Sequence, residues 1–136
     1  MKCFAMLVVL LAAAPVLAKD APLYKTRNCD NLTAQMDMTQ CAGDNEAAAD
    51  ARLNAVYKQV MASKSDPADK DGLKQAERSW IKYRDKHCKD ENESDEGGSI
   101  WPMEMSICNQ AETDKRIRVL QRMLTCTAGA SVCNPH

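Results

Sequence analysis

The residues that could do chemistry gather in one stretch, CKDENESDEGGSIWPMEMSIC, residues 88–108. Cys88 and Cys108 enclose the acids Asp90, Glu91, Glu93, Asp95 and Glu96, then the turn Gly97-Gly98-Ser99, then Trp101. Such a density of acids raises calcium first. An EF-hand loop wants glycine at its sixth position and glutamate at its twelfth. Counting from Asp90 those places hold Asp95 and Trp101, so that pattern fails. Zinc favours cysteines paired at C-x₂₋₄-C spacing, and no two cysteines lie that close.

Catalysis finds no better footing. The chain has two histidines, His87 and His136, and lacks both a G-x-S-x-G elbow and an H-E-x-x-H helix. A carboxylate pair can cleave a glycosidic bond, but a loop is a poor frame for the geometry this needs. The sequence therefore predicts no enzyme, no cofactor and no metal. What the stretch suits is binding. Its acids would steer a cationic partner, and Trp101 would serve as a desolvated anchor or as a cap on the core. The plainer alternative is a charged connector that keeps the domain in solution.

The chain's ends and cysteines say where this happens. MKCFAMLVVLLAAAPVLA has the layout of a secretory signal peptide with cleavage after Ala18. Its apolar run is too short to span a bilayer, which takes about 20 residues, so no membrane insertion is expected once the signal is removed. Cys3 leaves with it, and no cysteine stands at the cleavage point for lipid attachment. Six cysteines remain: Cys29, Cys41, Cys88, Cys108, Cys126 and Cys133. An even count in a small exported chain predicts three disulfides and a periplasmic or secreted location. Acidic residues (19) slightly outnumber basic ones (18), which gives no basic footprint for nucleic acid.

The elements that must hold the loop are helical. Residues 19–28 show no periodicity and read as an extended, partly mobile arm. In CDNLTAQMDMTQCA, residues 29–42, Thr33 stands as N-cap of a short helix. A first long helix is expected over 44–62, with Asp44 as its N-cap and Ala49, Leu53, Val56 and Val60 on its inner face. Pro67 and Gly72 break the pattern. The second helix is expected from Leu73 to Lys89, with Leu73, Ala76, Trp80, Tyr83 and His87 on one face. Pro102 suits the first turn of a third helix, which runs to Thr125 with Ile107, Ala111, Ile117, Leu120 and Leu124 as its stripe. The eight methionines read mostly as core filler. His87 reads as a packed residue near a helix C-terminus, where a positive charge is favoured.

Three amphipathic helices on short loops must bury their stripes on each other. The expected fold is all-α: a small antiparallel bundle of three main helices plus a short N-terminal helix, cross-linked by three disulfides. The domain occupies 29–125 and a tail 126–136. In an up-down-up bundle Cys41, Cys88 and Cys108 fall at one end, within reach of Cys29. Cys126 and Cys133 lie about 27 Å or more away along helix three and are expected to pair. Among the other four, Cys29–Cys41 with Cys88–Cys108 is preferred, and Cys41–Cys88 with Cys29–Cys108 stays open. The same register puts Asp50 level with Arg84, as an ion pair beside Trp80.

Several of these stretches resemble the LprI-type lysozyme inhibitor N-terminal domain family. They are MTQCA (38–42), ADARLNAVY (49–57), AERSWIKYRDKHC (76–88), GGS (97–99), and Cys108 followed by Thr113 and Arg116. The likeness covers about residues 29–124. The chain departs from the family pattern at Thr39, commonly asparagine, and at Glu77, commonly glutamine, and it has no lipobox. The Cys126–Cys133 tail stands beyond the core pattern. The resemblance implies a small exported helical domain, cross-linked by disulfides, that inhibits a lysozyme-like muramidase. Lysozymes of animal type are basic and work with two carboxylates in a saccharide cleft. The partner-binding residues would then be Asp90, Glu91, Glu93, Asp95, Glu96, Gly97, Gly98, Ser99 and Trp101, with Ser99 bonding a cleft carboxylate. Two other functions fit the residues: a structural or stress-associated envelope protein that binds another periplasmic protein, and a hydrolase of wall saccharides. The oligomeric state is open.

Overall fold

A computed structural model describes residues 23–126. The expected signal peptide, Cys3, and the tail beyond Cys126 with the expected Cys126–Cys133 bridge lie outside the described residues. Among those described, three helices follow in order: α1 Gln35–Ser63, α2 Pro67–Glu91 and α3 Trp101–Thr125. A single 3₁₀ turn, Glu93–Asp95, stands between the last two, and no strand is present among the described residues. No helix is long and apolar enough to cross a membrane.

α1 packs along α3, and this seam is the apolar core. Leu53, Val56 and Val60 meet Ile117 and Leu120, with Leu73 of α2 closing one end. Burying each such side chain contributes about 1.5–3 kcal/mol. The helical spacing of these residues is what the sequence predicts.

The short helix and the first long helix prove to be one. α1 starts after Ala34 and runs through Gly43 and Asp44 without a break. Asp44 does not cap anything. Its carboxylate takes the Gln40 amide at 2.9 Å and pairs with Arg27, so its lone pairs are satisfied from the side of a continuing helix. One glycine costs a helix only about 1 kcal/mol, too little to end it. Cys41 is fully buried and bonded to Cys29, with a Cα–Cα distance of 6.0 Å.

Pro67 starts a helix as well as ending one. Asp66 accepts from the Ala68 N–H at 2.8 Å and Pro67 takes the first helical position, where its missing N–H costs nothing. Gly72 is carried inside α2. The inward face of α2 is also rotated from the expected one: Ala76 and Tyr83 are exposed, and Glu77 and Arg84 point in. Each finds a partner. Glu77 Oε2 accepts both Nε (2.9 Å) and Nη2 (2.7 Å) of Arg116. Arg84 reaches Asp50 at 3.0 Å and the Thr113 hydroxyl at 3.1 Å. Both guanidiniums lie over Trp80, at 5.3 and 5.8 Å from its ring, a cation–π arrangement. Buried charges persist only when paired and bonded in this way.

α3 shifts likewise. It begins one residue early at Trp101, and Ile107 and Ala111 face solvent, while Thr113 is fully buried beneath Arg84. The described part of the N-terminal arm, residues 23–28, forms no helix and is pinned. Leu23 and Tyr24 pack against the core, the Tyr24 hydroxyl accepts from Gln110 at 2.9 Å, and Asn45 bonds both the N–H and the C=O of Arg27. Burial pushes the Tyr24 phenol up to about 12.

Candidate functional site: an acidic loop and the groove beside it

The loop from α2 to α3 is held at its base by Cys88–Cys108, with a Cα–Cα distance of 5.6 Å. α2 reaches into it as far as Glu91, and Asn92 closes the helix by donating its side-chain amide to Cys88 C=O at 2.8 Å. The 3₁₀ turn follows, then Gly98 N–H bonds Asp95 C=O at 2.8 Å. Gly97 has φ +82, a backbone that L side chains rarely adopt. A Cβ at position 98 would stand 3.0 Å from Asp95 O. Gly97 is thus required by the turn that brings Ser99 to the surface, and Gly98 is favoured by it.

The acids divide into paired and unpaired. Asp90 lies on α2 and pairs with Lys86. Glu96 reaches Lys89 at 3.1 Å. Glu91 ends α2 beside His87, 3.6 Å away, and Glu93 opens the 3₁₀ turn exposed. Asp95 is half-buried and accepts from the Ser94 hydroxyl at 3.1 Å. Glu104, on the first turns of α3, belongs to the same patch: burial, and then the neighbouring Asp95, push its carboxyl above the usual range. Trp101 is half-buried with its indole N–H turned inward and without a partner among the described residues.

Beside this loop runs an open groove of about 560 Å³. Ser99, Pro102 and Ser106 form one wall; Gln35, Met36, Thr39, Gln40 and Gly43 of α1 form the other. The Gln35 amide spans its floor, bonding Thr39 at 3.3 Å and reaching Met103 Sδ at 3.7 Å. Met36, read from sequence as core filler, is 82% exposed at the groove's lip. Thr39 and Gln40 come from MTQCA and Ser99 from the Gly-Gly-Ser turn, so two stretches far apart in the chain share one surface. Sequence reasoning assigned the first of them to structure alone. Neither residue is charged or aromatic, and only their place in a quoted motif marked them.

A second hollow of about 480 Å³ lies behind the loop, lined among others by His87, Glu91, Glu104, Glu112 and Lys115. His87, Glu91 and Cys108 come within metal-sharing distance, but the Cys108 sulfur is committed to Cys88. Glu112, 3.7 Å from His87, is held by Lys115 at 2.5 Å. His87 itself stacks on Tyr83, ring centroids 5.4 Å apart. The donor set left to a metal is short of the three or four ligands that zinc takes.

The model of a family described as "Lysozyme inhibitor LprI" matches residues 27–120. That span includes the loop, the groove and both described disulfides. An uncharacterized protein of Rhizobium meliloti (strain 1021) is 34% identical to this chain over 110 residues, covering 71% of this chain and 78% of the relative. No solved structure matches it.

Proposed function

The chain belongs to the LprI lysozyme-inhibitor family, and from that premise we propose that it is an exported inhibitor that lays its acidic loop across the cleft of a basic, lysozyme-type muramidase. The observation that carries this reading is the state of the loop. It is locked at its base by Cys88–Cys108 and by helices on both sides, yet Glu91, Glu93, Glu96, Gly97, Gly98 and Ser99 are exposed. A preformed loop loses little entropy on docking. Its acids would speed encounter with a cationic protein, and the side-chain-free tip at Gly97-Gly98 can enter a narrow cleft and bring the Ser99 hydroxyl to a catalytic carboxylate.

The test is inhibition of peptidoglycan lysis. Protein carrying residues 19–136 should slow a basic lysozyme at low salt, and the effect should weaken as salt screens the acids. Replacing Asp95, Glu96 and Ser99 together by alanine should raise the inhibition constant at least about tenfold, which is about 1.4 kcal/mol, with the helical signal unchanged. Absence of inhibition at low salt across several lysozyme types removes the reading.

A further inference from the structure

We propose that the hollow behind the acidic loop, between the end of α2 and the first half of α3, receives an arginine side chain from a basic protein partner. Its guanidinium would sit between Glu91 and Glu104, and its methylenes would lie on Ile107 and Ala111. Taking the muramidase as that partner rests on the inhibitor reading; the chemistry of the hollow does not.

The lining sets the sign of the hollow. Three carboxylates, Glu91, Glu104 and Glu112, share it with one ammonium, Lys115, and that ammonium is bonded to Glu112 at 2.5 Å. Glu91 has His87 as its nearest base, 3.6 Å away, and feels Lys115 only at longer range. Glu104 has less. Burial and then Asp95 act on its carboxyl, both upward, and no cation counters them. Its Oε2 is shut off from solvent and accepts no hydrogen bond among the described residues. An anion beside another carboxylate, with an acceptor atom unused, is stabilised when a positively charged donor arrives.

The apolar part of the lining decides between an ion and a side chain. Ile107 is 52% exposed, and Ala111, one turn further along α3, is exposed as well. A metal ion makes no use of that surface. The stem of a long basic side chain covers it while the charged head reaches the acids. Of the two candidates, the guanidinium of arginine is the more weakly hydrated and offers five donors in one plane, enough to serve two carboxylates. At about 480 Å³ the hollow holds such a side chain. Its walls are braced beforehand, by the stack of His87 on Tyr83 and by the Cys88–Cys108 bridge, so little order has to be created on binding.

A capped glycine–arginine–glycine peptide and its citrulline counterpart, similar in size but uncharged, test the hollow directly by NMR titration of the isotope-labelled protein. The arginine peptide should shift the amides of Glu104, Ile107 and Ala111, and the citrulline peptide should leave them in place. Calcium chloride at matched ionic strength should also leave them; the same shifts with calcium mean a site for any cation and overturn the arginine assignment. Inhibition of a basic lysozyme then tests the link to the partner. Glu104→Gln removes the charge with little change of shape, and Ala111→Trp fills the hollow from an exposed helical position. Each should weaken inhibition at least about tenfold with the helical signal kept, and neither residue is among those assigned to the cleft. Asp71→Asn, an equal loss of charge near the start of α2, should stay within about twofold of the parent; an equal loss there means steering by net charge and overturns the hollow. So does the absence of arginine-dependent shifts, or parent-like inhibition by either hollow variant, and both leave the loop reading intact. A parent that takes up the arginine peptide in the hollow but does not inhibit overturns the inhibitor reading alone.

Discussion

α3 is held by two neighbours in two different ways. Against α1 it presents Ile117 and Leu120 to Leu53, Val56 and Val60, a continuous apolar seam. Against α2 the contacts are few and mostly polar: Glu77 with Arg116, Arg84 with Thr113, the Arg116 guanidinium over Trp80, and one disulfide. Hydrophobic burial is non-directional and supplies stability. Ion pairs and a covalent bridge supply register, fixing how α2 lies and therefore where the loop at its end is presented. On this view the α1–α3 seam keeps the protein folded and the α2–α3 seam aims it.

The sharpest way to break the contrast is at Leu120. Leu120→Ala should cost roughly 2–5 kcal/mol, the usual range for a fully buried leucine, read as a lowered urea midpoint. Arg116→Met follows at about 3 kcal/mol, because it strands Glu77 in a buried setting. Combining it with Glu77→Leu should restore most of that loss, since an apolar pair of similar volume is often as stable as a buried ion pair. If the double variant is as unstable as the single one, the polar seam carries stability and the distinction between the two seams fails.

Removing the bridge with Cys88→Ser and Cys108→Ser should cost about 2–3 kcal/mol. Its more telling effect is local. Amide exchange should rise over residues 89–107 more than in the α1–α3 core, and inhibition should weaken while the helices persist. Equal loosening everywhere would mean the bridge is ordinary cross-linking.

The smallest effect concerns Glu104. Its carboxyl is raised, so the folded state holds that proton more tightly than the unfolded chain does. The stabilisation is complete at low pH and is lost as pH rises through the raised value. Glu104→Gln, which mimics the protonated acid, should therefore melt slightly higher than the parent near neutrality and converge with it in acid. A difference that grows on acidification would mean that burial and Asp95 do not raise the Glu104 carboxyl.

How much of this was legible beforehand follows from what each contact is made of. Leu53, Val56, Val60, Ile117 and Leu120 could be placed from spacing alone, since apolar periodicity is the signal that burial writes into a helix. Asp50 and Arg84 could be matched by height along antiparallel helices. Glu77 and Arg116 could not, because apolarity counts both as surface until a partner is known. Ile107 and Ala111 misled for the converse reason: helical spacing is also met on a face that stays in water. The start of α1 was misplaced because Asp44 followed by an alanine-rich run has the appearance of a cap, while its carboxylate is in fact spent on Gln40 and Arg27. At the site, the acids of the loop announced themselves by charge. The groove did not, being built from Gln35, Thr39, Gln40 and the space above Gly43, whose only common property is position in three dimensions.

The pinned arm has a practical outcome for handling the molecule. It travels from Leu23, lodged at the level of the apolar core, up to Cys29 at the disulfide end. A tether joined upstream of Leu23 is therefore led in from mid-bundle, away from the tip formed by Gly97 and Gly98. Molecules immobilised through that side on a sensor chip would hold the tip toward the flowing enzyme, whereas a label chemically joined at Ser99 would bury it.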